Sequence, residues 1–301
     1  MGCILTLIAA PRGKALDSST VDAARRALAA LGAKFGATDW LGLGPGLACD
    51  LSFDGLDPAA AQQAARAALN GKPIDAVAQE TAGRRKHLLV ADMDATMIEG
   101  ETIDNLAAEA GIGPQIAAIT AAAMRGELDF PTALRQRVAL LKGLPDSALK
   151  KVRDAMRPMP GARTLVQTMR RHGAYTVLVS GGFDVFTAHA RDLLGCDAER
   201  GNRLEVAAEK LTGRVIDPIL GRDAKLMTLT ITAAKRGIDM CDTMAVGDGA
   251  NDLAMLGAAG MGVAFHAKPV VAAAAQARID HADLTALLHV QGYRREEFAG
   301  G

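Results

Sequence analysis

Apolar positions along the chain follow two successive patterns. Up to residue 80, short runs with strand spacing take turns with stretches of helical spacing. "CILTLIA" (3–9) predicts a strand, and "DSSTVDAARRALAALG" (17–32) a capped amphipathic helix. "KFGATDWLGLGPGLACDLSFDG" predicts two strands around the turn "GLGPG". "DPAAAQQAARAALNG" (57–71) predicts a second helix and "IDAVAQE" (74–80) a fourth strand. The order β-α-β-β-α-β is that of a small α+β, ferredoxin-like domain. "TAGRRKH" (81–87) predicts a linker to a second domain spanning 81–301.

After the linker the pattern changes. "HLLVAD", "AYTVLVS" and "DTMAVGD" are short apolar strand candidates, each followed by a small-residue turn and a helical stretch. Strands alternating with helices imply an α/β fold, a Rossmann-like parallel sheet covered on both faces. The interval between the first two strands is too long for an ordinary connection. It contains "ETIDNLAAEAG", "PQIAAITAAAMRG", "FPTALRQRVALLKG" and "PDSALKKVRDAM", which predict an inserted helical cap at about 102–158. The terminal "EEFAGG" predicts a frayed end.

Composition narrows the classes of function. The 301 residues are half hydrophobic, and 34 basic side chains balance 34 acidic ones. Zero net charge argues against a nucleic-acid or anionic-membrane partner. No apolar run approaches the ~20 residues of a membrane span. The start lacks a basic segment ahead of its apolar run, so no signal peptide is expected. Cys3, Cys49, Cys196 and Cys241 have no paired spacing, which predicts reduced thiols packed as small hydrophobes in a cytoplasmic enzyme.

Chemistry concentrates at strand ends. Asp92 and Asp94 follow "HLLVA" two apart, so they point to the same side and repel each other. Ser180-Gly181-Gly182 follows the second strand candidate, "GDGAND" (247–252) the third, and Lys225 lies on the helix before that third strand. Alone, an Asp-x-Asp or a Ser-Gly-Gly is usually a turn, and a lysine usually a surface charge. Jointly they suit phosphoryl transfer, because strand ends of an open parallel sheet converge on one crevice. Carboxylates can hold Mg²⁺, the Ser-Gly-Gly hydroxyl and amides can grip phosphoryl oxygens, and Lys225 offers a point charge. Asp92 can attack phosphorus, while Asp94 protonates the leaving alkoxide and later deprotonates water. Gly42, Gly44 and Gly46 predict a hairpin turn rather than a phosphate cradle, since no Lys-Ser/Thr follows.

"DMDAT", "SGG", Lys225 and "GDGAND" resemble the four motifs of the haloacid-dehalogenase-like phosphatases. Over residues 86–290, strings such as "LDFPTALRQRVALLKGLP" and "AVGDGANDLAMLGAAGMGVAFHAKP" are similar to the phosphoserine phosphatases. The resemblance implies hydrolysis of O-phosphoserine through an aspartyl-phosphate, the last step of serine biosynthesis. It implies Asp92 as nucleophile and Asp94 as acid/base. Mg²⁺ would be held by the Asp92 carboxylate, the Asp94 carbonyl and Asp248, with Asp252 behind them. Ser180, Gly181, Lys225 and Asn251 would bind phosphate. Glu101 would meet the substrate ammonium and Arg137 its carboxylate, a pairing that matches the charges of phosphoserine. Met124 and Phe130 would form part of an apolar lid. Met93 and Ala95 depart mildly from the family pattern, at positions where Phe and Ser are common.

Residues 1–80 resemble amino-acid-sensing, ACT-like domains, which implies a regulatory or assembly role and a homodimer through exposed sheet edges. Other readings are a different small-molecule phosphatase, a phosphotransferase, or a non-catalytic amino-acid sensor. Against the last stand the intact Asp92, Asp94, Lys225 and Asp248, which a pure sensor does not need.

Overall fold

Residues 2–11, 16–42 and 46–300 are described in the computed structural model. The first unit runs β1 (Cys3–Ala9), α1 (Ser18–Ala29), β2 (Lys34–Trp40), β3 (Ala48–Asp54), α2 (Pro58–Ala68) and β4 (Ile74–Glu80). Its antiparallel sheet has the order β2-β3-β1-β4. Asp17 and Asp57 start the helices by accepting from the backbone N–H of Thr20 and of Ala59 and Ala60. The centre of the "GLGPG" turn, 43–45, lies outside the described residues.

Alternation then sorts the strands into two faces. Leu5, Leu7, Leu51 and Phe53 pack with Leu28 of α1 and Ala61 and Ala65 of α2. The opposite face carries Thr6, Ile8, Asp50, Asp75, Val77 and Gln79, and it is buried as well. It is covered by the second unit.

That unit is a seven-stranded sheet in the order β11-β10-β9-β5-β6-β7-β8. Strands β5 (Leu88–Ala91), β6 (Tyr175–Phe183), β7 (Ala198–Ala207), β9 (Thr243–Gly247), β10 (Met261–Phe265) and β11 (Ala277–Ile279) pair in parallel, and β8 (Lys210–Ile216) runs antiparallel to β7. Between β5 and β6 come α3 (Thr102–Glu109), α4 (Gly113–Met124), α5 (Phe130–Leu140), α6 (Asp146–Ala155) and the crossover α7 (Ala162–Arg171). Helices α8 (Asp184–Leu194), α9 (Arg222–Arg236), α10 (Leu253–Ala258), α11 (Pro269–Ala274) and α12 (Ala286–Val290) complete it. Among the described residues, no helix is long and apolar enough to cross a membrane.

Residues 81–87, which join the two units, are held by hydrogen bonds to both. The Arg84 guanidinium donates to Asp50 Oδ2 at 2.6 Å and to the carbonyls of His289 and Val290 at 3.1 Å each. Lys86 Nζ donates to the carbonyls of Gly83 and Cys241 at 2.7 and 2.6 Å. One expectation needs correction: the described residues 296–300 are not frayed, for Ala299 N donates to Thr168 Oγ1 at 2.8 Å and Arg85 pairs with Glu297. Nearby, Arg294 pairs with Asp39 at the end of β2. Polar partners on the first unit and on α7 hold both segments down, which no local pattern reveals. The cysteines are all free, but Cys241 is exposed rather than packed.

Candidate active site

In the central strands Ala91 lies level with Leu178 and Val246, so the residues that follow emerge at one edge of the sheet. A single cavity there is lined by Asp92, Asp94, Ser180, Gly181, Asp248 and Asn251 from the strand ends, and by Glu101, Phe130 and Arg137 from the inserted helices. Ala95 takes φ +55°, a left-handed conformation that is uncommon outside glycine, and turns the chain directly after Asp94. Gly181 lets the Phe130 ring approach closely, since a Cβ there would sit 2.9 Å from the ring's tip and the ring would have to shift.

Lys225 is buried behind the cavity, donating to Asp92 Oδ1 at 2.6 Å and to Asp252 Oδ1 at 2.5 Å. Burial works against its charge, yet Asp92 and Asp252 hold the ammonium above its ordinary range. Burial pushes the Asp92 carboxyl well up, opposed by Lys225 and aided by Asp252. Asp94 is also pushed up by burial, against the hydrogen bonds it accepts from Thr102 N (2.8 Å) and Ser180 Oγ (3.0 Å). Both oxygens of the Asp94 carboxyl therefore have a partner.

Asp92, Asp248 and Asp252 each present an oxygen within 4.8 Å of the others. Two of these acids, Asp92 and Asp252, bond the buried Lys225 ammonium, and Asp94 lies beside them in the same cavity. Hard oxygen donors in excess of local positive charge fit a divalent cation such as Mg²⁺. Asp252 is the third acid of this cluster, and it also bonds Lys225 and accepts from Gly249 N at 3.1 Å.

Glu101 and Arg137 face the same cavity from the cap. Solvent still touches Glu101, but the cavity walls desolvate it, and with Asp94 and Asp248 nearby its carboxyl is pushed up to about 7. Arg137 is half-buried and, among the described residues, donates only to the Ala133 carbonyl, at 3.3 Å. Met124 is not brought to the cavity. It ends α4 at 71% exposure and lies outside the lining.

Two residues escaped the sequence reading. Asn202 on β7 is buried, and its amide donates to the carbonyls of Gly181 (2.8 Å) and Leu220 (3.2 Å) while accepting from Leu220 N (2.7 Å). It pins the Ser-Gly-Gly loop to the segment that begins the Lys225 helix. Lys268 lines the cavity, and its N–H donates to the Asp248 carbonyl at 3.2 Å. Only the unpredicted strands β7 and β10 place these two.

Residues 89–257 match the family described as haloacid dehalogenase-like hydrolase. A phosphoserine phosphatase of Streptomyces coelicolor is 44% identical over 255 residues, covering 84% of this chain and 62% of that protein. The chain spans between 53% and 64% of the length of three such curated relatives. Among solved structures, a HAD family hydrolase from Salmonella enterica serovar Typhi superposes with TM-score 0.85 at 30% identity, over 96% of this chain and 98% of that one. A phospho-aspartyl intermediate analogue of phosphoserine phosphatase superposes with TM-score 0.64 at 40% identity, over 68% of this chain and 98% of that one.

Proposed function

Because the chain belongs to the haloacid dehalogenase-like hydrolase family, we propose that it is a Mg²⁺-dependent phosphatase that converts O-phosphoserine and water to serine and phosphate. One observation carries the substrate assignment. The cavity that holds Asp92 and Asp94 also holds Glu101 and Arg137, an acid and a base for the two charged ends of an amino acid. The names of the relatives support the same substrate.

In this reading an Asp92 carboxylate oxygen forms a bond to phosphorus as the bond to the serine oxygen breaks. Asp94 gives that oxygen its proton, and Ser180 and Thr102 keep the carboxyl aimed. Asp94 then takes a proton from the water that attacks the aspartyl-phosphate, which frees phosphate and restores Asp92. Ser180, Gly181, Asn251 and Lys225 bind the phosphoryl oxygens, and Phe130 closes the apolar side of the cavity. Bound to Asp92, the Asp94 carbonyl and Asp248, Mg²⁺ would offset phosphoryl charge. Asp252 holds Lys225 in line.

Residues 1–80 are, in the same reading, an ACT-like unit attached to a cytoplasmic enzyme of serine biosynthesis. A homodimer through this unit has one sheet edge left, because β4 packs beside β11. That edge, β2, carries a register shift between Phe35 and Thr38, a feature that disfavours edge pairing. The test of function is phosphate release from O-phosphoserine and a panel of phosphomonoesters, with and without Mg²⁺. Equal rates across the panel would overturn the substrate assignment.

A further inference from the structure

One acidic side chain of the first unit is buried against a turn of the second unit. Asp75 on β4 is buried, and its carboxylate accepts from three consecutive backbone N–H groups of the second unit. These are Asp280 (2.7 Å), His281 (3.2 Å) and Ala282 (2.8 Å), in the turn directly after β11. Three convergent amides fix both the position and the orientation of that turn.

The same turn holds His266. A carbonyl can only accept, so His266 Nε2 donates to the Ala282 oxygen at 2.9 Å, and His266 N donates to the Ile279 carbonyl at 2.8 Å. The residue has φ +44°, a conformation that costs energy for a side chain other than glycine and needs outside support. It stacks on Phe265, with ring centroids 4.1 Å apart. Two residues on, Lys268 lines the cavity and bonds the backbone of Asp248. A continuous path therefore runs from Asp75 through the 280–282 turn, His266 and Lys268 to the backbone of Asp248, one acid of the metal-fitting cluster.

We propose that Asp75 is a positioning residue for the phosphatase reaction: it locks the 280–282 turn, which through His266 sets the strained segment that places Lys268 and the Asp248 loop. The inference rests on the reading of Asp248 as a metal ligand. On this account residues 1–80 help to build the active site without contributing a group to it.

The test uses the full-length chain with Asp75→Asn, which keeps the shape and loses the charge, and with His266→Ala, whose side chain is exposed and whose loss threatens folding less. Three quantities are read well below the melting temperature: amide exchange at 280–282, the Mn²⁺ dissociation constant by calorimetry without substrate, and kcat and KM. Asp75→Asn should speed exchange at those amides. It should also weaken Mn²⁺ binding roughly 3–10-fold, less than the 10–100-fold seen for groups that touch metal ligands directly. His266→Ala should weaken it similarly, and the double variant no further, because both act on one path. A lower melting temperature with unchanged Mn²⁺ affinity in the folded variants would reduce Asp75 to a docking contact and overturn the proposal. Additive losses would break the path through His266. A wild type that binds Mn²⁺ but releases no phosphate from O-phosphoserine would sink the functional reading alone, leaving the metal comparison intact.

Discussion

Two buried polar clusters lie in this molecule, and they are built on opposite principles. At the seam between the units, nearly every polar group has its complement. Asp50 takes Arg84 and the Thr6 hydroxyl, Asp75 takes three amides, and Gln79 donates to the Val290 carbonyl at 2.6 Å. Around the active-site cavity stand five carboxylates, Asp92, Asp94, Glu101, Asp248 and Asp252, against three cations, Lys225, Lys268 and Arg137, and Arg137 has no carboxylate partner among the described residues. A satisfied buried network fixes how two surfaces dock, because any other arrangement leaves a group unpaired. An unsatisfied one calls for an explanation, and a ligand that completes it is one. The acids fit a bound cation, and Glu101 and Arg137 match the charged ends of the substrate proposed above.

The sharpest break of this contrast is Asp92→Asn. It should abolish measurable turnover while the melting temperature holds or rises, because a repelling charge is removed without a change of shape. The comparison is phosphate release against thermal unfolding, with the amide verified by mass spectrometry. Retained wild-type turnover would remove Asp92 from the nucleophile's role. Arg84→Ala should do the reverse. Stripping a buried carboxylate of its partner typically costs about 3–5 kcal/mol, so urea denaturation should show a large loss of stability. A stability within about 0.5 kcal/mol of wild type, the range of ordinary surface changes, would mean the seam contributes little.

Arg137→Ala should cost on the order of 1.5–3 kcal/mol of substrate binding, or roughly 10–150-fold. The loss should fall on phosphoserine and spare phosphoethanolamine, which has no carboxylate. Equal losses on both would show that Arg137 acts through the cap instead.

A smaller effect concerns a loose end at the seam. His289 is fully buried, its Nε2 has no partner among the described residues, and burial holds its pKa down at about 4, against 6.5 for a free histidine. The unfolded chain takes up this proton first, so the contribution is fully present above pH 6.5 and is lost as pH falls toward 4. Unfolding titrations of wild type and His289→Gln should differ in slope across that window. Parallel curves would show that His289 stays neutral in both states.

The sequence displays the cavity far better than the seam. Asp92, Asp94, Ser180 and Asp248 stand out because charged or small polar residues directly after apolar runs are poor packing material. Thr6, Asp50, Asp75 and Gln79 do not, since a polar residue at every second position of a strand reads as a solvent-facing side. Here that side is buried against α12 and the 280–282 turn, and only the tertiary fold supplies the partners. The β7–β8 hairpin is hidden for a local reason. Its turn places Ala208 and Glu209 at φ +49° and +57°, without the Asn-Gly signal that normally marks such a turn. Asn202 on β7 is lost with it. Arg84 and Lys86 look like linker charges because their acceptors are mostly backbone carbonyls far along the chain.

The central claim is that Asp92 carries the phosphoryl group of O-phosphoserine. The direct measurement is rapid acid quench of the Mg²⁺-loaded protein mixed with O-phosphoserine labelled in the phosphoryl group, followed by peptide mapping. The label should appear on the peptide containing Asp92 within one turnover, vanish on a chase with unlabelled substrate, and be absent from Asp92→Asn. Steady release of labelled phosphate with no label on Asp92 at any quench time would contradict the account.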